Sequence, residues 1–573
     1  MSYVLGISAY YHESSTCLIN SRSGKVLSYA KEESYSRIKG DSSFPERAIK
    51  EVLNSANITG ADLNRVVFYE RPLSAFIEPL KIAGLHMPKS LRFAVNQLSK
   101  AFSGSLGFEA DLRSFIPSFK GSILYLDHHL SHLYSALASS SQTKDLCGIV
   151  VDGFGDTACT SIYKVKSPTD IELMWKSEYP HSLGLFYSAI TDFLGFAVNE
   201  GEYKVMGLAA YGEPKYLEKI RNLGGFINGK FKLNLCYFDF HHSIKRSYSD
   251  ALAELLNVAP RPAGMKLKKG TDEFKLYADI ACSAQVYLEE LLTHLFQMGA
   301  EITGTNRYLF SGGVAMNSVA ISKLVKELHP EGFHVAISPG DAGASIGAAM
   351  FGALKENEII NPLYIPSPFI SPRNERSFSE LVAENGSWRR LCGLDAAVDQ
   401  CAALFSQGHV VATCVGAGEI GPRALGHRSL LCNGESDAAV RYLNEIIKGR
   451  SSFRPTAPAT TLQHANDLYS LDDRLMDAYK VMGATAMAKP SATNLPTTHI
   501  DGSARIQIVE ADSLIGTIIN SPKADFKIVA NTSFNFSSDP TVSNIESALL
   551  SLITMKVPYF LCDDGLFKAE RGT

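Results

Sequence analysis

The sequence predicts an α/β protein with two domains. Segments rich in β-branched residues alternate with helical segments, and glycine-rich turns follow two of the predicted strands. At 573 residues the chain is longer than one hydrophobic core usually supports. We expect domains at 1–360 and 385–573, joined by a linker at 361–384 that begins NPLYIPSPFISPRNERS, with four prolines and little periodicity.

The first predicted domain opens with a strand–turn–strand–turn–strand pattern in YVLGISAYYHESSTCLINSRSGKVLSYAKEE. A similar pattern returns at 147–180 in CGIVVDGFGDTACTSIYKVKSPTDIELMWKSEYP, and we interpret the pair as a structural duplication. Between the copies we expect a helix in FPERAIKEVLNSANI, strands in RVVFYE and GSILYLD, and a helix in HHLSHLYSALASS. Strands alternating with helices indicate an α/β domain of two related halves.

Two glycine-rich turns follow strands in YLFSGGVAMNSVAISKLVKEL and HVAISPGDAGASIGAAMFGAL. Glycines such as Gly312 and Gly313 allow backbone N–H groups to approach an anion at a helix N-terminus. Turns of this kind also occur for packing alone, but two of them favour a phosphate or nucleotide site. The second predicted domain begins with helix DAAVDQCAALFSQG and strand HVVATCVGAGE.

The stretch YLDHHLSHLYSAL, residues 125–137, has three histidines in five positions. Asp127 is placed to cap the helix that follows. His128 and His132 are four residues apart, so they share a helix face at the spacing that one metal ion requires. His129 and His132 would also share a face, so spacing alone does not choose the pair. The alternative is a helix N-terminus with solvated or hydrogen-bonded histidines.

Two acidic residues are placed to complete a metal site. Asp152 ends the strand GIVVD, and Asp341 follows another strand in SPGDAGAS. Each is a short side chain beside glycine, although aspartate at such positions often only forms a turn. Two imidazoles with carboxylate oxygens suit iron, manganese or zinc better than calcium.

Composition excludes several classes of function. The net charge of −4 and the pI of about 6.4 provide no global basic field for nucleic acid. Ten cysteines without a CxxC pair argue against zinc ribbons and a dense disulfide framework. No signal peptide and no apolar run long enough for a bilayer are recognisable, so we expect a cytoplasmic protein without a membrane or nucleic-acid partner.

Ten segments, in order, resemble one known family. They are HHLSH, VVDGFGD, SLGLFYSAITDFLGF, GEYKVMGLAAYG, SGGVAMN, GDAGASIGAA, GPRALGHRS, KGRSSFRPTAP, HIDGSARIQ and NTSFN. Together they resemble the O-carbamoyltransferases that include nodulation protein U, the cephem carbamoyltransferases and the tobramycin carbamoyltransferase. The resemblance spans nearly the whole chain and is far more specific than any single segment.

The resemblance implies an actin-like (ASKHA-type), duplicated α/β domain at the N-terminus and a YrdC-like α/β domain at the C-terminus. It also implies an enzyme that transfers a one-carbon group. Carbamoyl phosphate and ATP (with Mg) would give carbamoyl adenylate and pyrophosphate in the C-terminal domain. The N-terminal domain would then transfer the carbamoyl group to an acceptor hydroxyl and release AMP. A divalent metal, Fe(II) in the family, would polarise phosphate or carbamoyl oxygens.

The resemblance also assigns residues in the first domain. The metal ligands would be His128, His132, Asp152 and Asp341. His12, in YYHESS, would remove the acceptor's proton, or would simply be a hydrogen-bonded turn histidine. Lys204 and Asn317, with the glycines at 312 and 313, match positions near the adenylate. Lys39 would contact phosphate, or would be a solvated surface charge.

The second domain offers cations for phosphate. Carbamoyl phosphate and ATP bring together negative charges that fixed cations must neutralise, and arginine presents a planar fork to phosphate. The predicted phosphate clamp is Arg423, Lys448, Arg454 and Arg505. Ser533, in NTSFN, is expected to donate a hydrogen bond to a phosphate or the adenylate. Arg428 and Arg450 serve equally well as structural ion-pair partners.

Three departures from the family pattern affect these expectations. KEESYSR replaces the usual glutamate–arginine and leaves the contacts of Arg37 open. Asp539 precedes Pro540 where a Glu-Pro pair is usual. Tyr203, in GEYK, stands where glycine is commoner, so the adenylate pocket or its acceptor edge would differ in shape.

The sequence does not identify the acceptor, and it leaves two alternative functions open. A hydroxylated small molecule is expected: an aminoglycoside, β-lactam, polyketide, Nod factor or other sugar, as in antibiotic biosynthesis or nodulation. Region 73–120 would shape its pocket, or would be an amphipathic helix on the core. The alternatives are a tRNA-modifying threonylcarbamoyl-type enzyme and a non-catalytic actin-like ATPase or chaperone. The oligomeric state is not readable; a homodimer is one possibility.

Overall fold

A computed structural model describes residues 2–102, 104–356, 365, 367–373, 376–383, 387–451, 453–536 and 539–570. Its contacts divide the chain into two compact units. The first consists of Met1–Leu27 and Ser42–Pro366, and the second of Ser28–Asp41 and Ser367–Thr573. The predicted linker at 361–384 lies partly outside the described residues.

Residues 28–41 belong to the second unit, although the predicted boundaries did not separate them from the N-terminal domain. The Tyr29 N–H donates to the Ile370 carbonyl, and the Ser543 hydroxyl donates to the Ser34 carbonyl at 2.8 Å. These pairings link residues 341 and 509 positions apart in the chain, which no local sequence pattern encodes.

Strands and helices alternate through residues 3–356, as the sequence predicts, and of these elements residues 28–36 belong to the second unit. The strands up to residue 356 are β1 (Tyr3–Ser8), β2 (Ser15–Asn20), β3 (Lys25–Lys31), β4 (Leu63–Phe68), β5 (Ser122–Tyr125), β6 (Leu146–Gly155), β7 (Ala158–Ser167), β8 (Asp170–Glu178), β9 (Gly224–Ile227), β10 (Lys230–Leu233), β11 (Arg307–Ser311) and β12 (Gly332–Val335). The helices are α1 (Glu32–Ser36), α2 (Glu46–Ser55), α3 (Pro72–Leu85), α4 (Leu91–Phe102), α5 (Phe108–Phe115), α6 (His128–Ser139), α7 (Leu183–Phe193), α8 (Glu202–Ala209), α9 (Leu217–Arg221), α10 (Asp250–Leu256), α11 (Asp272–Thr303), α12 (Ser318–Leu328) and α13 (Asp341–Glu356).

Two five-stranded sheets with the same topology agree with the predicted duplication. Their strand orders are β3-β2-β1-β4-β5 and β8-β7-β6-β11-β12. In each sheet the central strand pairs antiparallel with the second strand of its hairpin and parallel with a later strand, and that strand pairs parallel with the last. Each sheet is thus formed by three strands that are consecutive in the chain and by two later strands that add parallel to the first of them.

Region 73–120 is largely helical. It contains most of α3 and all of α4 and α5. Several apolar side chains of this region are exposed, including Leu73, Leu85, Leu91 and Val95. Among the residues that the structure describes, no helix is both long and apolar enough to span a bilayer.

The second unit contains a mixed eight-stranded sheet and a smaller three-stranded sheet. Its strands are β13 (Trp388–Cys392), β14 (Val411–Cys414), β15 (Arg428–Asn433), β16 (Ala457–Thr461), β17 (Tyr469–Ser470), β18 (Ala486–Ala488), β19 (Ser503–Ala504), β20 (Gln507–Val509), β21 (Val529–Ser533), β22 (Tyr559–Cys562) and β23 (Gly565–Ala569). Its helices are α14 (Phe378–Ala383), α15 (Leu394–Ser406), α16 (Asp437–Arg441), α17 (Leu462–Leu468), α18 (Met476–Lys480), α19 (Leu514–Ile519) and α20 (Ile545–Met555). The sheet order is β13-β23-β22-β14-β15-β21-β16-β20.

Apolar clusters cover both faces of this sheet. Val411 and Ala412 are neighbours on β14, yet each belongs to a different buried cluster. Alternate side chains of a strand point to opposite faces, so a strand buried on both sides is apolar at successive positions. That explains why HVVATC reads as a continuous apolar run. Both units therefore contain mixed α/β sheets.

Candidate metal centre and basic cluster

Four buried or nearly buried side chains of the first unit converge on one point. His128 and His132 lie on α6, Asp152 on β6, and Asp341 is the first residue of α13. The Nε2 atoms of the two histidines are 3.1 Å apart, and Asp152 Oδ2 lies 3.1 Å from that of His128. Asp341 Oδ1 lies 3.3 Å from His132 Nε2. One ligand atom from each residue lies within 4.8 Å of all the others.

The spacing of these four ligand atoms fits a single divalent ion. Nitrogen and oxygen ligands lie about 2.0–2.2 Å from a transition metal, so neighbouring ligands are roughly 3.0–3.5 Å apart. Most of the distances within the group fall in or near this range, from 3.1 to 3.7 Å. Two imidazoles and two carboxylates also form a donor set that iron, manganese or zinc accepts. The residues present therefore fit the metal that the resemblance implies.

Charge compensation inside the cluster is strong. Burial disfavours the imidazolium, but the hydrogen bond to Asp152 and the charge of Asp341 raise the pKa of His128 to about 10. Burial likewise opposes ionisation of Asp152, yet hydrogen bonds from His128 and His132 hold its pKa well below its usual value. The carboxylates thus create a negative site that either protons or a divalent cation can neutralise.

The start of α6 is fixed by two aspartates. Asp127 caps the helix by accepting from the Leu130 N–H, as the sequence predicts. Asp156 accepts from the His128 N–H at 3.0 Å and from the Arg71 N–H at 2.8 Å. Burial, followed by the charge of Asp127, raises the pKa of Asp156 to about 6. Asp156 therefore positions the backbone that carries the first histidine.

Small residues allow α13 to lie close to α6. A Cβ atom on Gly347 would lie 1.8 Å from the Ser131 carbonyl oxygen of α6. One on Gly343 would lie 3.0 Å from the Ser135 hydroxyl of α6 and 1.8 Å from the carbonyl oxygen of Ser338, in the loop before α13. Neither position can hold a larger side chain without displacing backbone. The segment GDAGASIGAA is therefore a packing surface that brings Asp341 to the histidines.

The turn SGG orients Asp152. The Gly313 N–H donates to Asp152 Oδ1 at 3.0 Å, which leaves Oδ2 facing the two imidazoles. Gly312 has φ +91°, and a Cβ there would lie 2.3 Å from the Val151 carbonyl oxygen, so glycine is required. The structure thus gives this turn a role in placing a ligand. Its contact with a nucleotide phosphate stays a prediction.

Replacing Gly155 by alanine tests whether the position of the His128 imidazole is needed for metal binding. The new Cβ would lie 2.0 Å from His128 Cδ2, so the imidazole must move. We expect the affinity for a divalent ion to fall about tenfold or more, since even outer-shell partners of metal ligands contribute about 10–100-fold. Gly153→Ala is the matched control, because its Cβ would meet its nearest neighbour at 3.7 Å. Equal zinc affinity in both variants, measured by competition titration, would contradict this account.

His129 does not join the cluster. Its Nδ1 lies 2.8 Å from the Ser161 hydroxyl, away from the other two histidines of the segment. The sequence left the pairs His128/His132 and His129/His132 open, and the structure brings the first pair together.

Several cations and Ser533 are gathered in the second unit. Lys448 is buried and follows a π-helical turn, Tyr442–Ile447. Burial, then the charges of Arg450, Arg454 and Lys39, lower the pKa of Lys448 well below its usual value. The charges of those three cations therefore all reach the ammonium group of Lys448.

Lys448 holds the end of β21. Its Nζ donates to the Ser533 carbonyl at 2.8 Å, to the Asn535 carbonyl and to Asn535 Oδ1 at 2.7 Å. The Ser533 hydroxyl donates to Asn535 Oδ1 at 2.6 Å. These three acceptors match the three donors of an ammonium group. Lys448 thus shapes the NTSFN turn, and its direct contact with phosphate stays a prediction.

The segment that carries Arg423 is held by a carboxylate. Glu419 Oε1 accepts from the N–H groups of Leu425, His427 and Arg428 at 2.9–3.0 Å. The Arg428 guanidinium is buried and donates to the carbonyls of Val415 and Gly416, so it is structural, one of the two roles left open for it.

Family models match both halves of this chain. The model described as Carbamoyltransferase N-terminus matches residues 3–350, and the model described as Carbamoyltransferase C-terminus matches residues 402–568. The chain belongs to the carbamoyltransferase family. All ten segments that carry the resemblance lie inside one of the two matched ranges.

Relatives of this carbamoyltransferase align over most of its length. Protein sll1178 of Synechocystis sp. is 30% identical, covering 98% of this chain and 96% of that protein. Nodulation protein NolNO of Sinorhizobium fredii is 29% identical, covering 98% and 80%. Nodulation protein NolO of Bradyrhizobium diazoefficiens is 29% identical, covering 75% and 76%.

A similarity to one solved structure is weaker. The crystal structure of HypF from T. kodakarensis is 15% identical with a TM-score of 0.32, covering 62% of this chain and 48% of that chain. A likeness of this size carries no argument about the fold or the function.

Other predicted residues of the carbamoyltransferase have defined places in the first unit. His12 lies in the turn between β1 and β2, with its side chain 24% exposed and Nδ1 3.9 Å from Glu13. Lys204 lies on α8, 5.8 Å from the centroid of the Phe196 ring. Asn317 caps α12 through Ala320 N–H and exchanges hydrogen bonds with Gln285. Their contacts with an acceptor or adenylate stay predictions.

The remaining predicted cations of the carbamoyltransferase lie in the second unit. Arg423 lies in the loop that Glu419 holds, and Arg505 directly follows β19. Arg37, whose contacts the sequence left open, donates to the Thr541 carbonyl at 3.2 Å and experiences the charge of Asp539. Two departures from the family pattern therefore lie together in this unit.

Glu70 is a candidate that sequence reasoning missed. It follows β4, whose counterpart in the second sheet is β11. Burial raises the pKa of Glu70 to about 7, although the nearby His128 acts in the opposite direction. An acidic residue at the end of a predicted strand, RVVFYE, was the signal that could have found it.

Replacing Glu419 by alanine tests how the Arg423 loop is held. Three backbone donors would lose their acceptor, and we expect the free energy of unfolding of the second unit to fall by about 1–3 kcal/mol. Urea denaturation would measure the change. Glu445→Ala, at an exposed position, is the control and should leave stability unchanged. Equal stability of the two variants would show that the loop is held by other contacts.

Proposed function

We propose that this carbamoyltransferase transfers a carbamoyl group from carbamoyl phosphate to a hydroxyl of a small acceptor, at the expense of ATP. The observation that carries the proposal is the His128, His132, Asp152 and Asp341 cluster in a chain of this family. Water would cleave carbamoyl phosphate to carbamate and phosphate, and carbamate would attack the α-phosphorus of ATP. Carbamoyl adenylate and pyrophosphate would form. The acceptor hydroxyl would then attack the carbamoyl carbon, and AMP would leave.

The first unit would carry out the transfer. A divalent ion bound by His128, His132, Asp152 and Asp341 would supply Lewis-acid polarisation of an oxygen. His12 would accept the proton that the acceptor hydroxyl loses during attack, and its partial exposure leaves its ring accessible to an acceptor. Asp156 and Gly313 would keep the ligands oriented by fixing the start of α6 and the carboxylate of Asp152.

The second unit would form the adenylate. Arg454, Arg423, Arg505 and Lys39 would neutralise the phosphates, whose repulsion otherwise opposes the approach of carbamate to ATP. Lys448 would act mainly by fixing the NTSFN turn, from which Ser533 would donate to a phosphate. The planar guanidinium of an arginine binds phosphate oxygens through paired hydrogen bonds.

The acceptor would be a hydroxylated natural product or sugar. The relatives named nodulation proteins are consistent with a small-molecule acceptor, but their names state no substrate. A net charge of −4 gives no reason to favour RNA as the acceptor.

Two assays test the proposal. The protein is first incubated with ATP and carbamoyl phosphate without acceptor, and pyrophosphate release that requires carbamoyl phosphate is expected. Mass spectrometry then screens hydroxylated metabolites for the gain of one carbamoyl group. ATP conversion to ADP without any need for carbamoyl phosphate would contradict the proposal and favour the actin-like ATPase. Transfer to tRNA alone would favour the threonylcarbamoyl-type enzyme.

A further inference from the structure

A second group of histidines lies in the first unit, separate from the residues assigned to carbamoyl transfer. It consists of His86, directly after α3, and of His241 and His242, in the connection between β10 and α10. One ring nitrogen from each lies within 4.8 Å of the other two. Distant stretches of the chain therefore bring three imidazoles together.

The geometry of these rings fits a shared ion. His241 Nε2 and His242 Nδ1 are 3.0 Å apart. Two nitrogens that bind one ion at about 2.1 Å and at roughly a right angle have this separation. The His86 ring lies 4.7 Å from that of His241 and 5.2 Å from that of His242, centroid to centroid. A hydrogen bond between His241 and His242 alone would not require the third ring.

Asp239, beside His242, supports the ring orientation in which His242 Nδ1 faces His241. Asp239 Oδ1 lies 3.5 Å from His242 Nε2, so Nδ1 is the nitrogen that faces His241. Asp239 Oδ2 accepts from Arg246 Nε at 3.3 Å, and its backbone carbonyl accepts from the His242 N–H. A carboxylate on the outer nitrogen of a metal-binding histidine is a recurrent arrangement, because it fixes the tautomer and strengthens the ligand.

His241 is the most buried of the three rings. The residue is 1% exposed, whereas His86 and His242 are partly exposed. Its Nε2 therefore lies inside the protein, where a buried polar atom needs a partner such as His242 or a shared ion.

We propose that His86, His241 and His242 bind a divalent transition-metal ion, of which Zn(II) is the representative probe. Three neutral imidazoles without a carboxylate ligand favour zinc, copper or nickel over magnesium or calcium. The half-buried His86 and His242 leave the remaining coordination positions open to water. The ion joins the end of α3 to the 238–248 connection. It thereby anchors the helical region 73–120, whichever acceptor the enzyme uses.

Zinc binding by the full-length, metal-stripped protein tests the proposal. His128→Ala/His132→Ala removes the first cluster, and this variant should still bind one zinc ion per chain. Adding His86→Gln to it should weaken that binding by more than about 100-fold, since even outer-shell partners contribute about 10–100-fold. His294→Gln, at an exposed histidine of α11, is the matched control and should leave the binding unchanged.

A spectroscopic measurement keeps the test independent of how the protein with His86→Gln folds. X-ray absorption of zinc in the His128→Ala/His132→Ala protein should show an imidazole-rich shell. Zinc affinity that is the same with and without His86→Gln, or a shell made only of oxygen, would overturn the proposal. Because neither readout involves carbamoyl transfer, the result is independent of the proposed function.

Discussion

The double variant His128→Ala/His132→Ala is expected to lose carbamoyl transfer while it still forms carbamoyl adenylate. Both imidazoles of the four-residue cluster would be absent, and two carboxylates alone hold a transition-metal ion poorly. Transfer should fall by more than about 100-fold. Pyrophosphate release that depends on carbamoyl phosphate, and carbamoylated acceptor counted by mass spectrometry, measure the two steps in one preparation.

His129→Gln is the matched control for this variant. It changes a histidine of the same helix whose ring faces Ser161 instead of the cluster, so most transfer should remain. Comparable melting temperatures would show that both proteins are folded. If the double variant retained full transfer, the cluster would have no part in the reaction.

The variant Arg454→Ala is expected to lose carbamoyl-adenylate formation while it keeps the transfer step. Loss of one fixed cation at a centre of developing charge typically costs about 10²–10³ in rate, so adenylate formation should almost cease. Arg454, like Lys39 and Arg450, lies close enough to Lys448 for its charge to lower the pKa of that lysine. Supplied carbamoyl adenylate should still be a substrate for transfer, because the first unit is unchanged.

Arg441→Ala controls for the loss of an arginine in the same unit. Arg441 lies on α16, is exposed and pairs with Asp437, so its loss should leave both steps intact. Equal pyrophosphate release from the Arg454→Ala and Arg441→Ala proteins would remove Arg454 from the clamp.

Local patterns predicted most of the fold. The hairpins at the start of each half, the helix after Asp127 and the strand–turn–helix units around Gly312 and Gly343 all occur where the sequence places them. These elements are specified by nearest neighbours: apolar periodicity, small turn residues and a capping side chain. The assignment of residues 28–41 to the second unit was not predictable, since it depends on contacts such as Ser34 with Ser543.

The candidate metal site was predicted in outline, and its supports were not. Residue chemistry and spacing suggested a histidine pair with Asp152 and Asp341 but did not choose between His128 and His129, and the family resemblance supplied the full set. The residues that hold them, such as Asp156 and Gly155, act through contacts across elements that a single sequence does not reveal. The second histidine group was missed for the same reason, because His86 is far from His241 along the chain.

Residues Ser28–Asp41 also have a consequence for how the polypeptide is synthesised and cut. The second unit is assembled from two separated stretches, so no single proteolytic cleavage can release it whole. Ribosomes produce its first piece early and its last piece several hundred residues later, so this unit finishes folding after translation of its C-terminal strands. A gene fragment that begins near residue 367 would encode the eight-stranded sheet without the peptide that normally lies against Ile370 and Ser543.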